Sequence, residues 1–302
     1  MSPALLVAGH GSRDPAAVGE FWALVHLVRR RVAGLAVAGG FIELARPSLA
    51  SAAASLVKGG ADDVVVVPLM LLAAGHTKND VPASIAAARL AHPDVRFRYG
   101  RDLGIDPRLL GIVDERIAAV VAPWERAETA VLLVGRGSSD PDANADLCKV
   151  ARLVHEGRPF PMVEPAFSGI TTPRVPEGLA RCVALGARRI VAVPYFLFTG
   201  VLVQRIARDC AELERAHPGV EVRVARHLGP VDAIAELVVE RYEEVLGGSP
   251  RMNCDLCIHR IALPGFEHRV EAPAMPHHHP DHDDAHAHAP DPGRAHGRAR
   301  TG

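Results

Sequence analysis

Two tandem α/β domains, each a parallel sheet with helices on both faces, are predicted by three features of the 302-residue sequence. The chain repeats itself at a fixed offset. Each repeat alternates short apolar runs with longer helical patterns. The apolar runs are continuous rather than alternating, which marks strands buried on both sides.

The repeat places LLVAGHGSRDP, residues 5–15, on VLLVGRGSSDP, residues 131–141, an offset of 126. Further on, Phe41 meets Phe167, Pro47 meets Pro173, and the run VVVVP at 64–68 meets IVAVP at 190–194. After a one-residue gap near position 74 the offset becomes 125, so His92-Pro93 meets His217-Pro218 and Arg101, Leu103 and Gly104 meet Arg226, Leu228 and Gly229. Agreement at this many fixed positions marks a duplication.

Within the first copy, ALLVAG (4–9) reads as a buried strand, and a helix follows from about Pro15, with Asp14 as N-cap and proline at the first helical position. AVAGGFIEL holds a second strand, and SLASAAASLVKGG is a helix closed by glycines. DDVVVVPLM is a third strand, residues 78–91 a helix, VRFRYG a short strand and residues 106–121 a last helix. The second copy repeats this order. The domains expected are 1–121 and 130–246 with a linker at 122–129, then a CxxC segment at 247–270 and a His-rich tail at 271–302.

That tail carries seven of the 16 histidines and no leucine, isoleucine, valine or aromatic residue, so it is expected to be disordered. Formal net charge is -1, which gives no footprint for nucleic acid or an anionic membrane. The longest apolar run, Val64 to Ala74, is too short for a bilayer and is broken by Pro68. The start lacks the charged and apolar regions of a signal peptide, and five cysteines make no disulfide framework, so a cytoplasmic protein is expected.

A duplicated chain supplies its own control. Gly9, Gly11, Ser12, Asp14 and Pro15 occur in both copies and are explained by a tight, capped strand-to-helix turn. Neither GxGxxG nor GxxxxGK[ST] is present, which argues against a nucleotide cradle. Three polar positions differ: His10 becomes Arg136, Glu43 becomes Gly169, and His76 becomes Val201. Each follows a predicted strand, where ligands of such sheets bind. A single loop histidine is ordinarily a surface or packing residue. The joint loss of all three from the twin makes them candidate metal or acid–base residues. Two imidazoles with a carboxylate suit borderline divalent ions such as Co, Ni, Fe or Zn, and leave coordination positions open. For Glu43, an ion pair with Arg46 competes with a direct role.

Cys254 and Cys257 form a strong chelating pair by spacing, but only half a tetrahedral set. A dithiol pair and a zinc site both remain open. Further ligands would have to come from a second subunit or from His259, Cys148, Cys182 or Cys210, the last three read as small core residues.

GHGSRDP at 9–15, FIELARPSL at 41–49 and VPLMLLAAGHTKND at 67–80 resemble the CbiX-type sirohydrochlorin cobaltochelatases, which belong to the class II, ATP-independent tetrapyrrole chelatases. The resemblance spans about residues 3–246 and extends to MNCDLCIHR (252–260) and the His-rich end, both recurrent in the long form. It implies two fused chelatase-like domains facing each other across a cleft, and insertion of Co(II), as substrate metal, into sirohydrochlorin; insertion of iron or nickel into the same substrate, or a non-catalytic metal-binding or storage role, is the alternative. His10 and His76 match the family histidines that bind the incoming metal and assist loss of the pyrrole protons. Cys254 and Cys257 match a motif associated with an iron–sulfur cluster, and a homodimer is left open. Arg13, Arg46, Lys78 and Arg136 are placed by sequence to bind the macrocycle's carboxylates, with an ordinary solvated charge as the competing reading for each. Arg136, as a permanent cation where the first copy has a histidine, would turn the second copy into a substrate-holding half.

Overall fold

The computed structural model describes residues 2–248 and 267–270. The Cys254/Cys257 segment and the His-rich stretch lie outside the described residues.

Each half of the chain runs β-α-β-α-β-α-β-α. The first contains β1 (Pro3–Gly9), α1 (Pro15–Arg31), β2 (Ala36–Phe41), α2 (Leu49–Lys58), β3 (Asp63–Pro68), α3 (Val81–Ala91), β4 (Arg96–Tyr99) and α4 (Pro107–Ala118). The second contains β5 (Thr129–Gly135), α5 (Pro141–His155), β6 (Val163–Phe167), α6 (Val175–Ala184), β7 (Arg189–Pro194), α7 (Val201–Ala216), β8 (Glu221–Val224) and α8 (Asp232–Leu246). The sheets are parallel throughout and share one topology, β2-β1-β3-β4 and β6-β5-β7-β8. Strand order reverses between the two central strands of each sheet, so their carboxyl ends open a crevice there.

The expected caps are in place. The Asp14 carboxylate accepts from Ala16 N at 2.9 Å, and Asp140 repeats this with Asp142 N at 3.1 Å. Pro15 and Pro141 occupy the first helical position, where a missing N–H costs nothing. The expected second strand stops at Phe41, and residues 42–48 turn instead. The expected linker is a short 3₁₀ segment, Pro123–Glu128, that leads directly into β5.

Side-chain alternation sorts each central strand between two cores. Leu5 and Val7 of β1, Val65 and Val67 of β3, Val131 and Leu133 of β5, and Val191 and Val193 of β7 share one cluster that runs through both halves. Their neighbours Leu6, Val64 and Val66 face α2 and α3, while Leu132, Ile190 and Ala192 face α6 and α7. Both faces are buried, which is why the runs are continuous in sequence.

The shared core contains an exchange of helices. α8 packs on α1 and β3 of the first sheet, whereas α4 packs on α5 and β7 of the second. Polar contacts fix the exchange. Arg31 on α1 pairs with Asp232 and Glu236 at 3.1 and 2.9 Å. Arg101, after β4, binds Glu244 on α8 in bidentate fashion, both bonds at 2.9 Å. Arg116 on α4 donates to the carbonyls of His227 and Leu228. Each half thus lends its last helix to the other sheet, and neither sheet has its apolar face covered by its own half alone.

Candidate metal centre

Loops after β1, β2 and β3 in the first half and after β5 and β7 in the second line a cavity of about 520 Å3, within the range of small-molecule sites. His10, Glu43, His76 and Arg136 all line it, beside apolar walls that include Leu44, Leu71 and Phe198.

His10 leaves β1 at a turn that only glycine permits. Gly11 has φ near 102°, and a Cβ there would collide with the Glu43 carbonyl oxygen. The two turns are joined by a backbone bond from Glu43 N to His10 O at 3.1 Å. Leu44, at φ 61°, holds the left-handed region that bulky residues avoid, and Ile170 does the same in the second half. Glu43 is therefore presented on a backbone turn common to both halves, although its carboxylate is peculiar to the first.

His76 begins a single π-helical turn, His76–Asp80, ahead of α3, a device frequent at functional sites. Its Nδ1–H donates to Asp80 Oδ2 at 2.6 Å, with both side chains buried. His10 Nδ1–H donates to the Gly11 carbonyl at 3.0 Å. In both rings this tautomer leaves the lone pair on Nε2, and a fixed partner on the other nitrogen is the usual support of a metal-binding imidazole.

The structure brings the three candidates together. The His10 and His76 rings meet edge-on with centroids 4.3 Å apart, and His10 Nε2 lies 3.5 Å from Glu43 Oε1. Ligand atoms of all three fall within 4.8 Å of one another. Donors bound to one ion at about 2.0–2.2 Å stand at most about 4.4 Å apart, so small side-chain adjustments bring the set onto a single ion. Glu43 turns to His10 and not to Arg46, which is exposed and makes no ion pair among the described residues.

The basic residues divide. Arg13 and Arg136 line the cavity, and Arg46 does not. Lys78 departs from the expectation: its side chain is 6% exposed and its ammonium donates to Asp140, the N-cap of α5, and to Asp142 in its first turn at 2.8 and 2.9 Å, tying the first half to the second. Burial works against this charge, but the two carboxylates prevail and raise its pKa above the ordinary 10.5. Cys182 and Cys210 are core residues whose thiols burial pushes up to about 12, whereas Cys148 is exposed. Reading Cys148 as core therefore fails. Sequence reasoning also missed Asp80; the signal was its i,i+4 spacing from His76 on one helical face.

The CbiX family model matches residues 4–120 and again 130–245. The chain is similar to the sirohydrochlorin cobaltochelatase of Priestia megaterium, 39% identical over 264 residues that cover 86% of this chain and 85% of that protein. It is also similar to the sirohydrochlorin ferrochelatase of Bacillus subtilis (strain 168), 35% identical over 220 residues, 73% of this chain and 84% of that protein. The solved structure of SirB from Bacillus subtilis with Fe3+ superposes with a TM-score of 0.71 and 32% identity, covering 81% of this chain and 95% of that one.

Proposed function

The chain belongs to the CbiX family of sirohydrochlorin chelatases, and on that premise we propose that it inserts Co(II) into sirohydrochlorin without a nucleotide. The observation that carries this reading is the meeting of His10, Glu43 and His76 inside a cavity walled by both halves. The donor set is sparse. Two imidazole nitrogens and one carboxylate oxygen hold a divalent ion while leaving positions to which macrocycle nitrogens can bind. As those bonds form, the protein donors release the ion.

Insertion also removes two protons from the pyrrole nitrogens. His10 Nε2 and Glu43 Oε1 stand 3.5 Å apart, and with His10 Nδ1 tied to the Gly11 carbonyl each presents a lone pair that can accept a pyrrole proton. His76, held by Asp80, is the better-fixed metal ligand of the two histidines. Apolar walls that include Leu44, Leu71 and Phe198 offer a non-polar surface to a conjugated ring.

Iron is the second reading, favoured by the ferrochelatase relative. The same donors serve either ion, because selection among first-row divalent metals on such ligands rests on geometry and availability as well as on affinity. Spectrophotometric metallation of sirohydrochlorin with Co, Fe and Ni tests both readings. His10→Ala and His76→Ala are each expected to lower the insertion rate by about 100-fold or more with the fold intact. Near-normal rates in both variants would remove the site assignment.

A further inference from the structure

Arg136 occupies the position of His10 in the second half, and its surroundings differ from those of His10 in four respects. It donates no hydrogen bond and makes no ion pair among the described residues, although it is half-buried and lines the cavity. The acid is gone from its side of the site: Gly169 stands where the first half has Glu43, and a Cβ placed there would meet nothing nearer than the Arg136 carbonyl at 3.7 Å. The histidine is gone as well, replaced by the exposed Val201. Finally, the loop is braced by a residue that the first half lacks. Asn144 accepts from Ser138 N at 2.9 Å and donates to Ser138 O at 2.8 Å, whereas its counterpart is Val18.

These are the elements of an anion receptor, with a fixed cation, an emptied space beside it and no competing carboxylate on its own side. Glu43 lies across the cavity near enough to offset part of the cost of burying the guanidinium, but it is turned to His10. A permanent cation at this position also bars a second divalent ion from the second half.

Resting on the chelatase reading above, we propose that Arg136 binds a carboxylate of the tetrapyrrole substrate and so fixes which edge of the macrocycle faces away from the metal-binding residues. The planar guanidinium fork suits a bidentate grip on a carboxylate, which a lysine or an imidazole would not reproduce. The duplicated cavity thereby works asymmetrically, with metal handled by the first half and substrate orientation by the second.

The test is a titration of metal-free sirohydrochlorin, followed by its absorbance, against its fully esterified form, in which no carboxylate remains. Wild type should prefer the free acid. Arg136→Ala and the near-isosteric Arg136→Gln should each weaken free-acid binding roughly tenfold, leave ester binding unchanged, and retain the wild-type circular dichroism. Arg136→Lys should recover part of the preference. If the variants keep the wild-type ratio of acid to ester affinity, or if wild type binds neither compound, the proposal is overturned. The readout needs no turnover, so a wild type that binds the macrocycle but inserts no metal would sink the chelatase reading while the same titration still decides Arg136.

Discussion

The ring nitrogens of His76 have separate tasks, and the division rests on Asp80. Its carboxylate 2.6 Å from Nδ1 fixes the tautomer and leaves the lone pair on Nε2. Asp80→Asn keeps the shape but removes the charge. It should weaken Co(II) binding at the site by about 10- to 100-fold, measured by competition with a chromophoric chelator on protein truncated before the His-rich stretch. An unchanged affinity would show that Asp80 only packs. His10, Glu43 and His76 were legible as a set because the twin copy lacks all three. Asp80 was not, because the helix read from sequence begins at residue 78 and leaves His76 in the loop before it, whereas the π-helical turn His76–Asp80 carries both onto one face.

Strands and capped helices were readable because local rules decide them: continuous β-branched runs, Asp-Pro starts and glycine stops. The destinations of α4 and α8 were not. Both are amphipathic in sequence, and an apolar stripe does not say which sheet receives it. In the structure Ile112, Val113 and Ile117 of α4 and Leu237, Val238 and Val245 of α8 are buried in the common core. A chain of residues 1–121 alone would leave the α8-binding face of its sheet bare. Sedimentation and circular dichroism of this fragment should find aggregates, or a dimer in which each α4 covers the partner's sheet; a stable folded monomer would contradict the exchange. In the full chain, Leu237→Ala should cost about 2–5 kcal/mol in a single cooperative transition, since the core it opens belongs to both halves.

At the scale of the molecule, the cleft is set by ties that cross it. Lys78 reaches Asp140 and Asp142 from the first half, and Glu20 on α1 receives Thr199 N at 2.7 Å and His227 Nε2 at 2.9 Å from the second. Lys78→Ala leaves two buried carboxylates without their cation and should destabilise by about 3–5 kcal/mol. The pH dependence has a definite sign. The lysine's pKa is higher in the folded state, so its contribution is fully present below 10.5 and is lost as pH climbs through the raised value. The difference in Tm between wild type and Lys78→Ala should accordingly stay level between neutral pH and about pH 10 and shrink above it; a difference that shrinks on acidification from neutral pH to pH 6 would refute the assignment.

By itself the sequence determined the duplication, both parallel sheets, the capped turns that begin α1 and α5, and the three donors that separate one copy from the other. All of these depend on neighbours in the chain or on comparison at a fixed offset. Only the tertiary structure decided that Lys78 is a strut between the halves, that Cys148 is exposed, that the last helices change places, and that Arg136 shares one cavity with His10, Glu43 and His76. Charges and apolar stripes bind whatever the fold brings near, and that choice is made by burial against elements distant in the chain, 62 residues for Lys78 and Asp140 and 201 for Arg31 and Asp232.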